Sequence, residues 1–129
     1  MPEFSYNLQN KKFPPAATPE DIEENWLWAV VSYLGPLFLL VFSLRRESAF
    51  ATYHARQGRA LFIASLLWLI FWIVANFLVP AGVRFALLAV TGISILGFLL
   101  LFALWLEGMA HAIRGEMKPL TWIGTYVEE

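Results

Sequence analysis

Hydrophobic positions in this chain come in blocks and do not alternate with polar ones. Three uncharged runs stand out, at residues 26–44, 60–79 and 85–106. They hold 19, 20 and 22 residues. A helix crosses the roughly 30 Å hydrocarbon core of a bilayer with about 20 apolar residues, so each run has the length of a span. Helix is the predicted conformation because backbone N–H and C=O groups in lipid must be satisfied inside the segment. A barrel strand would show alternation over about 10 residues, and these runs show none. The fold class that follows is all-α: an integral membrane protein with three transmembrane helices.

Short signals bound the runs. Thr18-Pro19-Glu20-Asp21 reads as a helix start, with Thr18 as cap, Pro19 in the first turn and acids at the positive helix end. Residues 1–17 hold Pro14 and Pro15 with little periodicity, and read as a flexible tail ahead of a membrane domain at 18–120 and a short tail at 121–129. Ser48 is placed to cap a long second helix. Pro80-Ala81-Gly82 is a turn so short that helices two and three must form an antiparallel hairpin. Ideal-helix register makes paired positions sum to about 163, which levels Ala64 with Leu99 and Arg56 with Glu107. Gly115 and Pro119 close the third helix. Gly35-Pro36 sits inside the first run, where Pro36 removes a hydrogen bond to the Ser32 carbonyl and predicts a kink.

Composition sharpens this reading. Hydrophobic residues make up 59% of the 129 and charged residues 15%, against about 25% charged in soluble domains. Glu47 is the only acid from residue 26 to 106. The net charge of −1 implies no polyanionic partner, so nucleic acid is not expected. There is no cysteine, hence no disulfide or thiolate chemistry. No apolar leader precedes the first run. Lys and Arg near the spans set orientation. Arg45, Arg46, Arg56, Arg59, Arg114 and Lys118 fall on one side, and Lys11, Lys12 and Arg84 on the other. Six against three predicts the N-terminus outside and the C-terminus cytoplasmic. Trp26 and Trp28 are then expected at the outer interface, and Trp122 and Tyr126 at the inner one.

The candidate chemistry gathers at one end. His54, Arg56, Gln57 and Arg59 open the second helix; Glu107, His111 and Arg114 close the third. Ionisable residues at a membrane are costly and usually face protein. One reading is a structural polar clamp in which Glu107 pairs with Arg56, or with Arg59. A second is proton or ion handling, since histidine titrates near neutrality. A third, a metal site of His54, Glu107 and His111, has zinc's ligand types but no recognised spacing, and neither metal nor cofactor is expected. Arg45 and Arg46 either bind anionic lipid headgroups or only set topology. Gly92, Ser94, Gly97, Gly108 and Ala112 offer small surfaces for helix contact.

The stretch Phe50-Ala51-Thr52-Tyr53-His54-Ala55-Arg56-Gln57-Gly58-Arg59-Ala60 follows a basic loop. Tyr33-Leu34-Gly35-Pro36-Leu37 precedes it, and His111-Ala112-Ile113-Arg114-Gly115-Glu116 with Pro119-Leu120 follows. This arrangement resembles a family of small bacterial membrane proteins of unknown function. The family is distantly similar to the chloroplast inner-envelope Tic import channel component and includes the MamF-like magnetosome membrane proteins. The resemblance implies a helical membrane domain in a bacterial inner membrane, or an internal membrane derived from it. It implies a role in membrane-protein or membrane-compartment assembly and scaffolding, through homo-oligomers or other membrane proteins. The alternative is a subunit of a transport or protein-translocation channel. No catalytic residues transfer. The chain has no nucleophile–base pair and no phosphate-binding glycine loop, so an enzyme is not expected.

Overall fold

The computed structural model describes residues 17–80 and 82–124. Four α-helices carry the fold, and no strand occurs among the described residues: α1 at Pro19–Val31, α2 at Phe38–Leu44, α3 at Ala49–Leu78 and α4 at Arg84–Ile113. The flexible tail expected at residues 1–17 lies outside the described residues except for Ala17, as do Tyr126 and the rest of 125–129.

The helix ends form where the sequence places them. The Thr18 hydroxyl accepts from the Asp21 amide at 3.2 Å, with Pro19 in the first turn of α1. Ser48 caps α3 by accepting from the Ala51 amide at 3.0 Å. At the end of α4, Gly115 takes a φ of +72°. Its amide bonds to the Ala112 carbonyl and the Glu116 amide to that of His111, which closes the helix in a Schellman motif.

α3 and α4 form the predicted antiparallel hairpin. Each has 30 residues, about 45 Å of helix. The Trp68 indole N–H donates to the Ser94 carbonyl at 3.3 Å, and the ring fills the space over Gly97. Both contacts sit within a turn of the predicted register, which levels Ala64 with Leu99.

The first apolar run departs from its predicted form. It is not one helix long enough to span. α1 ends at Val31, and the Ser32 hydroxyl donates back to the Ala29 carbonyl at 2.6 Å. Gly35 adopts a left-handed φ of +62° and starts a single 3-10 turn at Gly35–Leu37. Pro36 has no N–H to continue a ladder. Together they convert the expected kink into a reversal. α2 then runs back beside α1, so that the Arg45 guanidinium just after it lies 5.1 Å from the centre of the Trp28 ring. The two helices hold 13 and 7 residues, about 20 Å and 10 Å. Neither crosses a 30 Å core. Among the described residues, the two helices long and apolar enough to cross a membrane are α3 and α4.

This α1–α2 pair docks on one end of the hairpin, the end opposite the 80–83 turn. The Asp21 carboxylate accepts from the Phe50 amide at 2.9 Å, adding a second cap to α3. Ser32 sits on Gly58 with no room for a Cβ between them, and Phe38 meets Phe62 at 5.8 Å between ring centres. The core lies here as well. One cluster joins Ala29, Tyr33, Phe50, Leu61, Leu104, Ala112 and Leu120. A second joins Phe38, Val41, Ala51 and Ala55. Towards the turn the hairpin is bare: Phe77 is 89% exposed and Phe85 88%.

Candidate functional site

Of the candidate residues, His54 and Gln57 are buried, Glu107 and His111 are half-buried, and the arginines form an exposed rim. His54 and Gln57 lie one turn apart on α3, and both are fully buried. Burial of such groups is costly without hydrogen bonds. The His54 Nε2 bonds to the Glu116 carbonyl at 3.0 Å, and its Nδ1 to the Tyr33 hydroxyl at 2.9 Å. A carbonyl can only accept, so Nε2 carries a proton; in the neutral imidazole Nδ1 then accepts from Tyr33. The ring is held by edge contacts with Phe50, Tyr53 and Tyr33 at 4.8, 5.4 and 5.8 Å. Gln57 accepts through Oε1 from the Leu120 amide at 3.4 Å, while its buried Nε2 has no partner. His54 thus ties α1, α3 and the segment after α4 together, and Gln57 adds a second tie to that segment.

Small residues make these contacts geometrically possible. The Tyr33 ring lies over Gly108 of α4 where a Cβ would otherwise stand. The Trp105 indole donates to the Tyr33 carbonyl at 2.7 Å, which also accepts from the Gly35 amide in the turn after α1. Tyr33 is therefore gripped by both long helices.

The expected clamp between Glu107 and Arg56 does not form. Glu107 instead accepts from the Thr121 hydroxyl at 2.9 Å and the Thr121 amide at 3.4 Å. The reason is the path of the chain after Gly115, which folds back along α4 and reaches Glu107 before any α3 arginine can. Arg56 and Arg59 are exposed, and Arg59 packs over the Phe42 ring at 5.7 Å. Among the described residues the ion pair present is Lys118–Glu116, at 3.1 Å. The hydrogen bond from Lys118 holds the Glu116 carboxyl below the usual carboxylate range. Arg114 caps α4 and is exposed, as is Arg46. His111 is half-buried with its Nδ1 enclosed and unbonded.

His54, Glu107 and His111 do not converge on a common point; no group of three His, Asp or Glu among the described residues is placed to hold a metal ion. With Nδ1 and Nε2 both engaged, His54 presents neither nitrogen to a ligand. Arg45 and Arg46 border an open cavity of about 400 Å³ that Asp21, Glu24 and Glu47 also line, so its charge is mixed rather than basic.

Tyr33, Asp21, Gly58 and Trp105 carry much of the arrangement, although none of them belongs to the candidate set that the sequence suggests. The one local signal was a glycine, Gly58, set inside a polar run at a helix start. Tyr33 and Trp105 both lie in apolar runs, far apart in sequence, and the turn at Gly35 brings them together. Trp28, expected at an outer membrane interface, lies beneath Arg45. No protein-family model, curated protein or solved structure matches this chain.

Proposed function

We propose that this is an integral membrane protein that acts without catalysis, in the assembly or scaffolding of membrane proteins or membrane compartments. It sits in a bacterial inner membrane or an internal membrane derived from it. The observation that carries the reading is the split between the two ends of the α3–α4 hairpin. One end is packed around His54 and Gln57; the other leaves Phe77, Phe85 and most of the large apolar side chains between them uncovered. Such surfaces need lipid or other transmembrane helices against them. The resemblance of residues 50–60 and 111–116 to the Tic-like and MamF-like membrane proteins points the same way.

In this reading two helices span, and α1–α2 enters from and returns to one side. Arg45, Arg46, Arg56, Arg59, Arg114 and Lys118 all fall at the packed end, with Arg84 at the other. The positive-inside rule makes the packed end cytoplasmic. Pro19 and Lys118 then face the same compartment, which replaces the opposed ends that three spans would require.

The alternative, a channel subunit, needs several copies. Ser65, Asn76 and Ser94 each donate to a carbonyl of their own helix and so offer no polar stripe to a lumen within one copy. Alkaline carbonate extraction followed by mass measurement of the protein released from native membrane patches tests the proposal. Retention in the membrane, with a mass of several copies or of a complex with another membrane protein, is the expected result. A carbonate-soluble chain, or a monomer carrying lipid alone, overturns it.

A further inference from the structure

We propose that the protein is a one-leaflet wedge that prefers curved membrane, with its packed end on the convex side. The inference rests on the two-span reading above. Its basis is the unequal cross-section of the molecule along α3. Beside the first 14 residues of α3, from Ala49 to Phe62, stand α1, α2 and the end of α4. Beyond that level α3 and α4 continue alone to the turn at residues 80–83. Each helix with its side chains is about 10–12 Å across, so four helices occupy roughly twice the area of two.

The depth of the extra helices fits a single leaflet. Asp21 is level with Phe50, Ser32 with Gly58 and Phe38 with Phe62. The reversal at Gly35 thus lies about 20 Å along a helix of about 45 Å, against a bilayer of 40–45 Å including headgroups. The outer surface of the pair suits the boundary between headgroups and acyl chains. Trp26, Leu27, Leu34, Leu39, Leu40 and Leu44 are exposed, as are most of the large apolar side chains of α3 and α4. The apolar run of α3 begins at Ala60, so acyl chains that cover the hairpin reach the deep end of this face, near Leu34 and Leu39. Apolar helices seated at that depth expand one leaflet and respond to curvature.

A wedge bends a membrane only if it is stiff. Here α1 is fastened to α3 and α4 by the Tyr33–His54 and Trp105–Tyr33 hydrogen bonds and by the Ser32–Gly58 contact, which leaves no slack between backbones. The buried polar cluster gains a mechanical role from this: it holds the pair against the hairpin.

The chain lacks cysteine, so one added cysteine gives a unique label. The full chain carrying Lys118→Cys or Arg84→Cys is reconstituted into giant vesicles of phosphatidylcholine with some phosphatidylglycerol. An impermeant dye applied outside marks copies with the packed end outward in the first case and inward in the second. Thin tubes are then pulled outward, making the outer leaflet convex. Lys118→Cys label should be enriched on the tube about twofold or more over the flat membrane, and Arg84→Cys label depleted. Gly58→Leu, which forces α1 off α3, should abolish the enrichment. Leu39→Ser with Leu40→Ser, which leaves the docking contacts alone, should reduce it. Carbonate-resistant protein with equal tube and flat densities for both labels overturns the wedge alone. Carbonate-soluble protein overturns the membrane-spanning reading with it. Enrichment that survives both sets of substitutions excludes α1–α2 as its source.

Discussion

The Tyr33 hydroxyl bonds to Nδ1 of the fully buried His54 across 2.9 Å, joining the chain just past α1 to the second turn of α3. Tyr33→Phe removes the donor and leaves a buried imidazole nitrogen unpaired. An orphaned buried acceptor costs about 1–3 kcal/mol. Unfolding in detergent should show a loss of that order. Tyr33→Phe combined with His54→Phe should cost less than the two singles together, because one interaction is lost in both. Full additivity would mean that the two side chains do not depend on each other.

At Gly58 the constraint is the Ser32 carbonyl, a backbone atom that cannot rotate away. Gly58→Ala should destabilise by about 1–3 kcal/mol, as overpacking does elsewhere. Gly92, in the same hairpin, has open space where a Cβ would stand. Gly92→Ala should therefore be neutral or gain up to about 1 kcal/mol from helix propensity. Thermal melts of the two variants side by side separate the close contact from the general effect of glycine. Equal shifts would refute the contact.

Topology follows from the reversal at Gly35. Single cysteines replacing the exposed Glu24 and Lys118 should react with an impermeant reagent from the same side of the membrane, and one replacing Arg84 from the other. Opposite sides for Glu24 and Lys118 would restore a third span.

Glu107 is tied to Thr121 and not to Arg56. Glu107→Ala should cost only about 1 kcal/mol, the value of an exposed hydrogen bond. With Thr121→Ala the two effects should overlap, whereas with Arg56→Ala they should add to within about 0.3–0.5 kcal/mol. Coupling to Arg56 in place of Thr121 would bring back the cross-hairpin clamp.

Much of this architecture is written in local sequence. The caps at Thr18 and Ser48, the glycine ending at Gly115 and the turn at Pro80 are short-range chemistry, decided by side chains reaching backbone groups a few residues away. The register of α3 on α4 follows because a four-residue turn leaves two stiff helices almost no freedom to slide. What the sequence did not decide was the fate of residues 26–44. Apolar length alone fits either one spanning helix or two short ones back to back, and Gly35-Pro36 fits either a kink or a reversal. Tertiary contacts settled it. Gly58 and Gly108 open room for Ser32 and Tyr33, and His54 supplies a buried partner only if the chain turns there. The partner of Glu107 was equally out of reach of helix bookkeeping. It depended on where the segment after Gly115 travels, and that segment is placed by burial of Leu120 and by the carbonyl of Glu116 on His54. Long-range burial, unlike capping, has no signature within a window of sequence.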